Sequence, residues 1–94
     1  MPLEKDLQSK ILRFVQSKDG GMGFKIHKAS VVGVPDLFLF APEFGYTFVE
    51  VKNGKKGVLS KVQKKMIELM KKAGVNVEVI TTWEEWINYY KSML

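Results

Sequence analysis

The sequence lacks cysteine entirely and contains a single histidine, His27. Disulfides and thiolate metal sites are therefore excluded, and no zinc site is expected, because zinc usually takes several Cys or His ligands. No apolar run reaches the roughly 18 residues of a membrane span, and residues 1–6 lack the apolar region of a signal peptide. From these absences we expect a protein of the cytoplasm, and from its length we expect one small domain over residues 1–94.

Positive charge is concentrated in one part of the chain. The net charge is +5, but residues 52–72 alone carry +7, because eight lysines stand there with one acid, Glu68. A localised basic surface favours a polyanionic partner such as nucleic acid. A solvated helix face that keeps the protein soluble is the simpler interpretation, and the lysine run alone does not exclude it.

The spacing of apolar residues predicts the element order α-β-β-β-α-β-α. Helices are predicted at 3–17, from Ser60 to Gly74 and at 83–93, and strands at 24–28, 36–40, 46–52 and 75–80. A hairpin turn is predicted at 41–45 and a loop at 53–57. Gly20, Gly21 and Gly23 predict a flexible link after the first helix, and Thr82-Trp83-Glu84-Glu85 predicts a capping box that opens the last helix. The helix between the last two strands favours a parallel pair, whereas the first three strands favour an antiparallel meander. The predicted fold is α/β, with a mixed four-stranded sheet flanked by helices and a C-terminal helix.

Two carboxylates and a lysine fall within the predicted strands. Glu50 and Lys52 are two residues apart and therefore share a face, and a short hairpin brings Asp36 within reach of Glu50. Neighbouring carboxylates repel each other unless a cation lies between them. Magnesium binds one or two carboxylates together with water and phosphate oxygens, and it can activate water against a phosphodiester. These residues predict a metal-dependent nuclease site, with a cross-strand ion pair as the alternative.

Three segments together resemble the VRR-NUC group of PD-(D/E)XK nucleases. They are Gly33-Val34-Pro35-Asp36, then Phe48-Val49-Glu50-Val51-Lys52, and Leu59-Ser60 with Gln63. The resemblance runs from about Glu4 to Ile80, and the predicted element order is similar to the αβββαβ restriction-endonuclease-like core of that superfamily.

The resemblance implies roles for individual residues. Asp36, Glu50 and the backbone carbonyl of Val51 would bind Mg²⁺ or Mn²⁺, and Lys52 would be the catalytic lysine. Gln63 and Glu4 match further positions of the site. Small stand-alone members of the group resemble junction-resolving enzymes, which implies a homodimer that acts on branched or four-way junction DNA.

Simpler interpretations stay open for the outer residues. Ser60-x-x-Gln63 is also a capping box, and Glu4 also suits the positive end of a helix dipole. His27 is assigned to a strand or loop, with a metal ligand as the alternative and a phosphate contact left open. The aromatic residues of the last helix are assigned to the core or to a dimer contact rather than to base stacking; they are Trp83, Trp86, Tyr89 and Tyr90.

Three functional hypotheses follow from these residues. The first is a Mg²⁺- or Mn²⁺-dependent DNA endonuclease whose lysines contact the phosphate backbone, namely Lys55, Lys56, Lys61, Lys64 and Lys65. The second is a non-catalytic nucleic-acid-binding module that keeps the nuclease fold. The third is a structural or partner-binding protein that uses its aromatic C-terminal helix.

Overall fold

The computed structural model describes residues 4–27, 30–52 and 58–94. Its helices are α1 (Glu4–Gln16), α2 (Lys61–Lys72) and α3 (Trp83–Met93), and its strands are β1 (Met22–Lys25), β2 (Leu37–Ala41), β3 (Gly45–Val51) and β4 (Val77–Ile80). The predicted loop at 53–57, with Lys55 and Lys56, lies outside the described residues. In the part of the chain that is described, no helix is long and apolar enough to cross a membrane.

The strands form one mixed sheet in the order β1-β2-β3-β4. The first three strands are antiparallel, with Leu37 opposite Val49 in the hairpin. The last pair is parallel, with Phe48 beside Val77, because α2 carries the chain back across the sheet. The predicted α/β architecture is therefore confirmed, with the turn of the hairpin at the predicted place.

Alternation along the strands gives the sheet two different faces. Leu37, Leu39, Val49 and Val51 are fully buried on one of them, which we call the core face. Helices α1 and α3 cover it, and α3 adds the buried side chains of Trp86 and Tyr90. Helix α1 adds Phe14, whose ring contacts the rings of Trp86 and Tyr90 edge to face. The prediction that α3 contributes aromatic residues to the core is confirmed.

The opposite face of the sheet, which we call the site face, carries Phe38, Phe48 and Glu50. These residues alternate with those of the core face along β2 and β3. Helix α2 lies on this side of the sheet, as shown by the hydrogen bond from Gln63 in its first turn to Glu50. The sheet therefore separates most of the apolar core from the charged residues singled out by the sequence.

The first strand begins two residues earlier than predicted and ends at Lys25. The prediction treated Gly23 as part of a flexible link, but it pairs with Leu39 inside the sheet. A Cβ at Gly23 would lie 2.8 Å from Leu39 Cδ2 and 3.0 Å from Leu12 Cδ2, so the glycine allows α1 to pack closely on the strand. The carbonyl of Gly23 accepts a hydrogen bond of 3.1 Å from Gln16 Nε2.

The two later helices begin where capping side chains were predicted. Ser60 and Thr82 are their N-caps, and each accepts a hydrogen bond from the backbone N–H three residues on. The capping box predicted at Thr82 is incomplete, because the Glu85 carboxylate accepts from the N–H and hydroxyl of Thr81 instead. The fourth strand starts later than predicted, because the Val75 N–H donates to the Met70 carbonyl and closes the end of α2.

Candidate active site

Glu50 lies at the centre of the charged cluster on the site face. It is only 1% exposed although it is an acid, which is costly unless its oxygens have partners. Gln63 Nε2 donates to its Oε2 over 3.0 Å, and Lys52 Nζ lies 3.4 Å from the same oxygen. Its other oxygen, Oε1, is buried and has no hydrogen-bond partner within the described residues. Among the described residues, Oε2 of Glu50 therefore contacts two donors, whereas Oε1 contacts none.

Asp36 directly precedes β2. The hairpin register, continued by one residue beyond the Leu37–Val49 pair, places Asp36 opposite Glu50. Its Oδ2 accepts a hydrogen bond of 3.1 Å from the backbone N–H of Val51. The predicted reach of Asp36 to Glu50 is observed, and repulsion between the two carboxylates contributes to the raised pKa of Glu50.

The pKa of Glu50 shows how the site treats negative charge. Burial, followed by repulsion from Asp36, raises this pKa from 4.5 to about 7, and Lys52 opposes the rise. The positive charge of Lys52 therefore does not fully offset the burial of Glu50 and its repulsion from Asp36. A cation between them would remove the repulsion and favour the ionised form.

The backbone carbonyl of Val51 points to the side of β3 on which Asp36 lies. In an antiparallel pair the N–H and C=O of one residue point toward the same neighbouring strand, and the Val51 N–H points to Asp36. Two residues beyond the Leu37–Val49 pair the register reaches Pro35, which has no N–H to donate. The ladder therefore offers no donor for the Val51 carbonyl at this position.

This donor set fits a divalent cation of the magnesium type. Among the described residues, no group of three or more His, Cys, Asp or Glu side chains comes together. Magnesium does not need such a group, because it usually binds one or two carboxylates and completes its shell with water and substrate oxygens. The leftover Oε1 of Glu50, the adjacent Asp36 and the Val51 carbonyl are ligands of the kind it takes.

The loop before Asp36 and the first turn of α2 meet at Gly33. Its φ of +89° is in the left-handed region, and a Cβ there would lie 3.0 Å from the Val62 carbonyl oxygen. Only glycine allows this approach without strain. The sequence motif included Gly33, but its role in bringing Asp36 and Gln63 into one site depends on a contact between distant segments.

Gln63 belongs to the capping box and to the charged cluster at once. Its Oε1 accepts from the Ser60 N–H over 3.0 Å, and its Nε2 donates to Glu50. The capping-box interpretation of Ser60-x-x-Gln63 is therefore confirmed, and Gln63 also contacts Glu50, while its role in catalysis stays a prediction. The bond from the Ser60 N–H to Gln63 Oε1 is part of the capping box that the S-x-x-Q pattern predicted, whereas the fact that one amide makes this bond and the bond to Glu50 together is visible only in the structure.

The remaining predicted residues lie around this cluster. Lys61, Lys64 and Lys65 are exposed on the first half of α2, close in sequence to Gln63. His27 is exposed just beyond β1, and its neighbour Ile26 donates to the Asp36 carbonyl.

Glu4 is the first residue of α1, and it is not grouped with Asp36 and Glu50 as a set of three carboxylates. The chain leaving α1 packs at Gly20 against Pro42 in the hairpin turn. The start of the helix therefore points toward the other end of the sheet, where Asp36 lies. A role for Glu4 in the site stays a prediction.

Comparison with known proteins gives one consistent result. The family model described as the VRR-NUC domain matches residues 4–83. A solved structure titled "VRR_NUC domain" is similar with a TM-score of 0.84 and 24% identity, covering 97% of each chain. Another, titled "VRR_NUC domain protein", has a TM-score of 0.73 and 17% identity, covering 97% of this chain and 87% of that chain. At these identities the structures show a shared fold alone, and no curated protein matches the chain.

Proposed function

This chain belongs to the VRR-NUC domain family, a family of nuclease domains, and from that membership we propose that it is a divalent-metal-dependent DNA endonuclease. The observation that carries the proposal is the state of Glu50. An acid that is 1% exposed, has one oxygen without a partner among the described residues and lies beside a second carboxylate is poorly suited to a purely structural role. It is well suited to hold a cation.

In the proposed mechanism each residue has a separate task. Asp36, Glu50 and the Val51 carbonyl would hold Mg²⁺ or Mn²⁺, which when bound would supply Lewis-acid activation of water and neutralise phosphate charge. Lys52 orients or deprotonates the water, or offsets charge on the phosphate. The water oxygen attacks phosphorus in line as the bond to the leaving oxygen breaks. Gln63 holds the Glu50 carboxylate in place.

The substrate is proposed to be DNA, whose phosphate backbone is bound by lysines near the site. Lys61, Lys64 and Lys65 recur at helical spacing and are exposed, so one face of α2 presents three positive charges to a phosphate backbone. Lys55 and Lys56 are proposed to bind further phosphates of the same backbone. Branched or four-way junction DNA is the substrate class that the resemblance to small stand-alone members of the family supports.

The test is a cleavage assay with purified variants. Four-way junction, flap, splayed-arm and linear duplex DNA are incubated with and without Mg²⁺ or Mn²⁺. We expect Lys52→Ala and Glu50→Ala each to lower the cleavage rate by about 100-fold or more, because Lys52 offsets charge at the reacting phosphate and Glu50 holds the cation that does the same. Lys91→Ala, which removes an exposed lysine from the last turn of α3, is the matched control and should cleave like the wild type.

Two outcomes would contradict the proposal. Undiminished cleavage by both site variants would remove Glu50 and Lys52 from the mechanism. DNA binding that needs no metal, with no product under any divalent ion, would instead support a non-catalytic binding module. The exposed lysines of α2 favour that second candidate as well, and its affinity should fall by about 0.9 log units per log unit of salt for each duplex phosphate contact.

A further inference from the structure

The amide of Gln63 is held at both ends. The backbone N–H of Ser60 donates to its Oε1 over 3.0 Å, and its own Nε2 donates to Glu50 Oε2 over 3.0 Å. A third bond, from the Gln63 backbone N–H to Ser60 Oγ, closes the capping box over 3.1 Å. The first turn of α2 is therefore connected to the buried carboxylate by a continuous chain of hydrogen bonds.

The orientation of this amide matters because its two ends are chemically opposite. The NH₂ end donates and the carbonyl end accepts. If the amide turned over, a carbonyl oxygen would face the buried carboxylate oxygen of Glu50, and two acceptors would repel each other. The Ser60 N–H prevents this, because it can pair only with the carbonyl end.

We propose that Ser60 is a positioning residue of the site, whose backbone N–H fixes the Gln63 amide so that its NH₂ group faces Glu50. This inference rests on the metal site proposed above. With Gln63 and Lys52 both on Oε2, the oxygen left for the cation is Oε1. Ser60 thus decides which oxygen of Glu50 binds the metal, although it lies outside the acidic cluster and is itself exposed.

Two substitutions at Ser60 separate this role from helix capping. Ser60→Ala removes the Oγ cap and keeps the N–H. Ser60→Pro removes both, and the observed φ of −68° is the value that a proline ring imposes. The difference between the two variants therefore reports the N–H.

The readout is the affinity for Mn²⁺ alone, measured by titration calorimetry on the full chain without DNA. We expect Ser60→Ala to bind Mn²⁺ within about twofold of the wild type. We expect Ser60→Pro to bind at least about tenfold more weakly, since loss of a group that orients a metal ligand typically costs 10–100-fold in affinity. In a Gln63→Ala background the same Ser60→Pro change should have no further effect, because both changes act through one amide.

A measurement on the wild type covers the case in which Ser60→Pro does not fold. A through-hydrogen-bond coupling between the Ser60 amide nitrogen and the Gln63 side-chain carbonyl carbon is expected in its NMR spectrum, and its absence would overturn the inference. Equal Mn²⁺ affinity of a folded Ser60→Pro and Ser60→Ala would also overturn it, while leaving the metal site intact. A wild type that binds no Mn²⁺ would instead overturn the metal site itself.

Discussion

At the residue scale, the site depends on how the fold holds one buried acid. Glu50 has donors on one oxygen, a like charge beside it and almost no solvent. Its ionised form is therefore under-stabilised in the metal-free protein, and a stability cost follows. A buried acid that lowers stability in this way is more typical of a binding or catalytic site than of a structural contact.

The metal-free protein should lose stability as the pH rises from about 4.5 to about 7. Because burial raises the pKa of Glu50 to about 7 in the folded state, the unfolded chain releases this proton first, and each step in pH then favours unfolding. The full loss is about 3 kcal/mol at most. Glu50→Gln should lack this loss and be the more stable protein at pH 8. Urea unfolding at pH 5 and pH 8 with a chelator measures both.

Glu68→Gln is the control for this experiment, because Glu68 is an exposed acid on α2. It should keep the pH dependence of the wild type. An unchanged pH dependence in Glu50→Gln would show that burial of Glu50 is not its source.

The sequence was sufficient to predict that Glu50 and Lys52 share a face and that Asp36 reaches them, because strand alternation and a short hairpin determine both. It was not sufficient to distinguish the two oxygens of Glu50. That distinction depends on where α2 lies over the sheet, and this is decided by contacts between distant residues such as Gly33 and Val62.

At the element scale, the helix starts were predictable and the first strand was less so. Helix starts depend on local capping, so Ser60 and Thr82 identified them. Gly23 was misinterpreted because a glycine in a flexible link and a glycine under a closely packed helix look the same in sequence. Only the positions of Leu12 and Leu39 distinguish the two cases.

Helix α3 lies almost entirely beyond residues 4–83, the range that matches the family model, yet it is part of the core. Trp86 is fully buried. The Tyr89 hydroxyl lies 2.6 Å from Oγ1 of the fully buried Thr47 on β3. This helix therefore supports the strand that carries Glu50, from the opposite face of the sheet.

Tyr89→Phe should lower the free energy of unfolding by about 1 kcal/mol, because it removes a hydrogen bond from the buried Thr47 hydroxyl. Tyr46→Phe is the matched control, since its hydroxyl accepts a long, exposed bond of 3.4 Å from the Asn76 N–H. The control should change stability by less than about 0.5 kcal/mol. Urea unfolding of the two variants compares them directly, and equal losses would contradict a supporting role for Tyr89.

At the scale of the whole molecule, 94 residues bury a thin core, and association is one way to gain more burial. The proposal that the protein is a homodimer rests on this and on the resemblance to small junction-resolving members of the family. Two sites in one particle would act on opposed strands of a four-way junction.

Sedimentation at micromolar concentration should give about twice the chain mass of 10.7 kDa. Four-way junction DNA should then be cut on two opposed strands, whereas a linear duplex of the same sequence should not. A particle of one chain mass that still resolves the junction would contradict the dimer.

The hydrogen bond from Gln16 to the Gly23 carbonyl has a consequence for how the protein behaves when concentrated. Strand β1 is the outermost strand on its side of the sheet, and its Met22 and Phe24 side chains are more than half exposed. Strands of this kind recruit other chains into fibrils through their unpaired backbone groups. Gln16 occupies one of those groups, so an incoming strand would have to displace its side chain before pairing with β1, and we expect Gln16→Ala to form fibrils faster than the wild type in a concentrated solution.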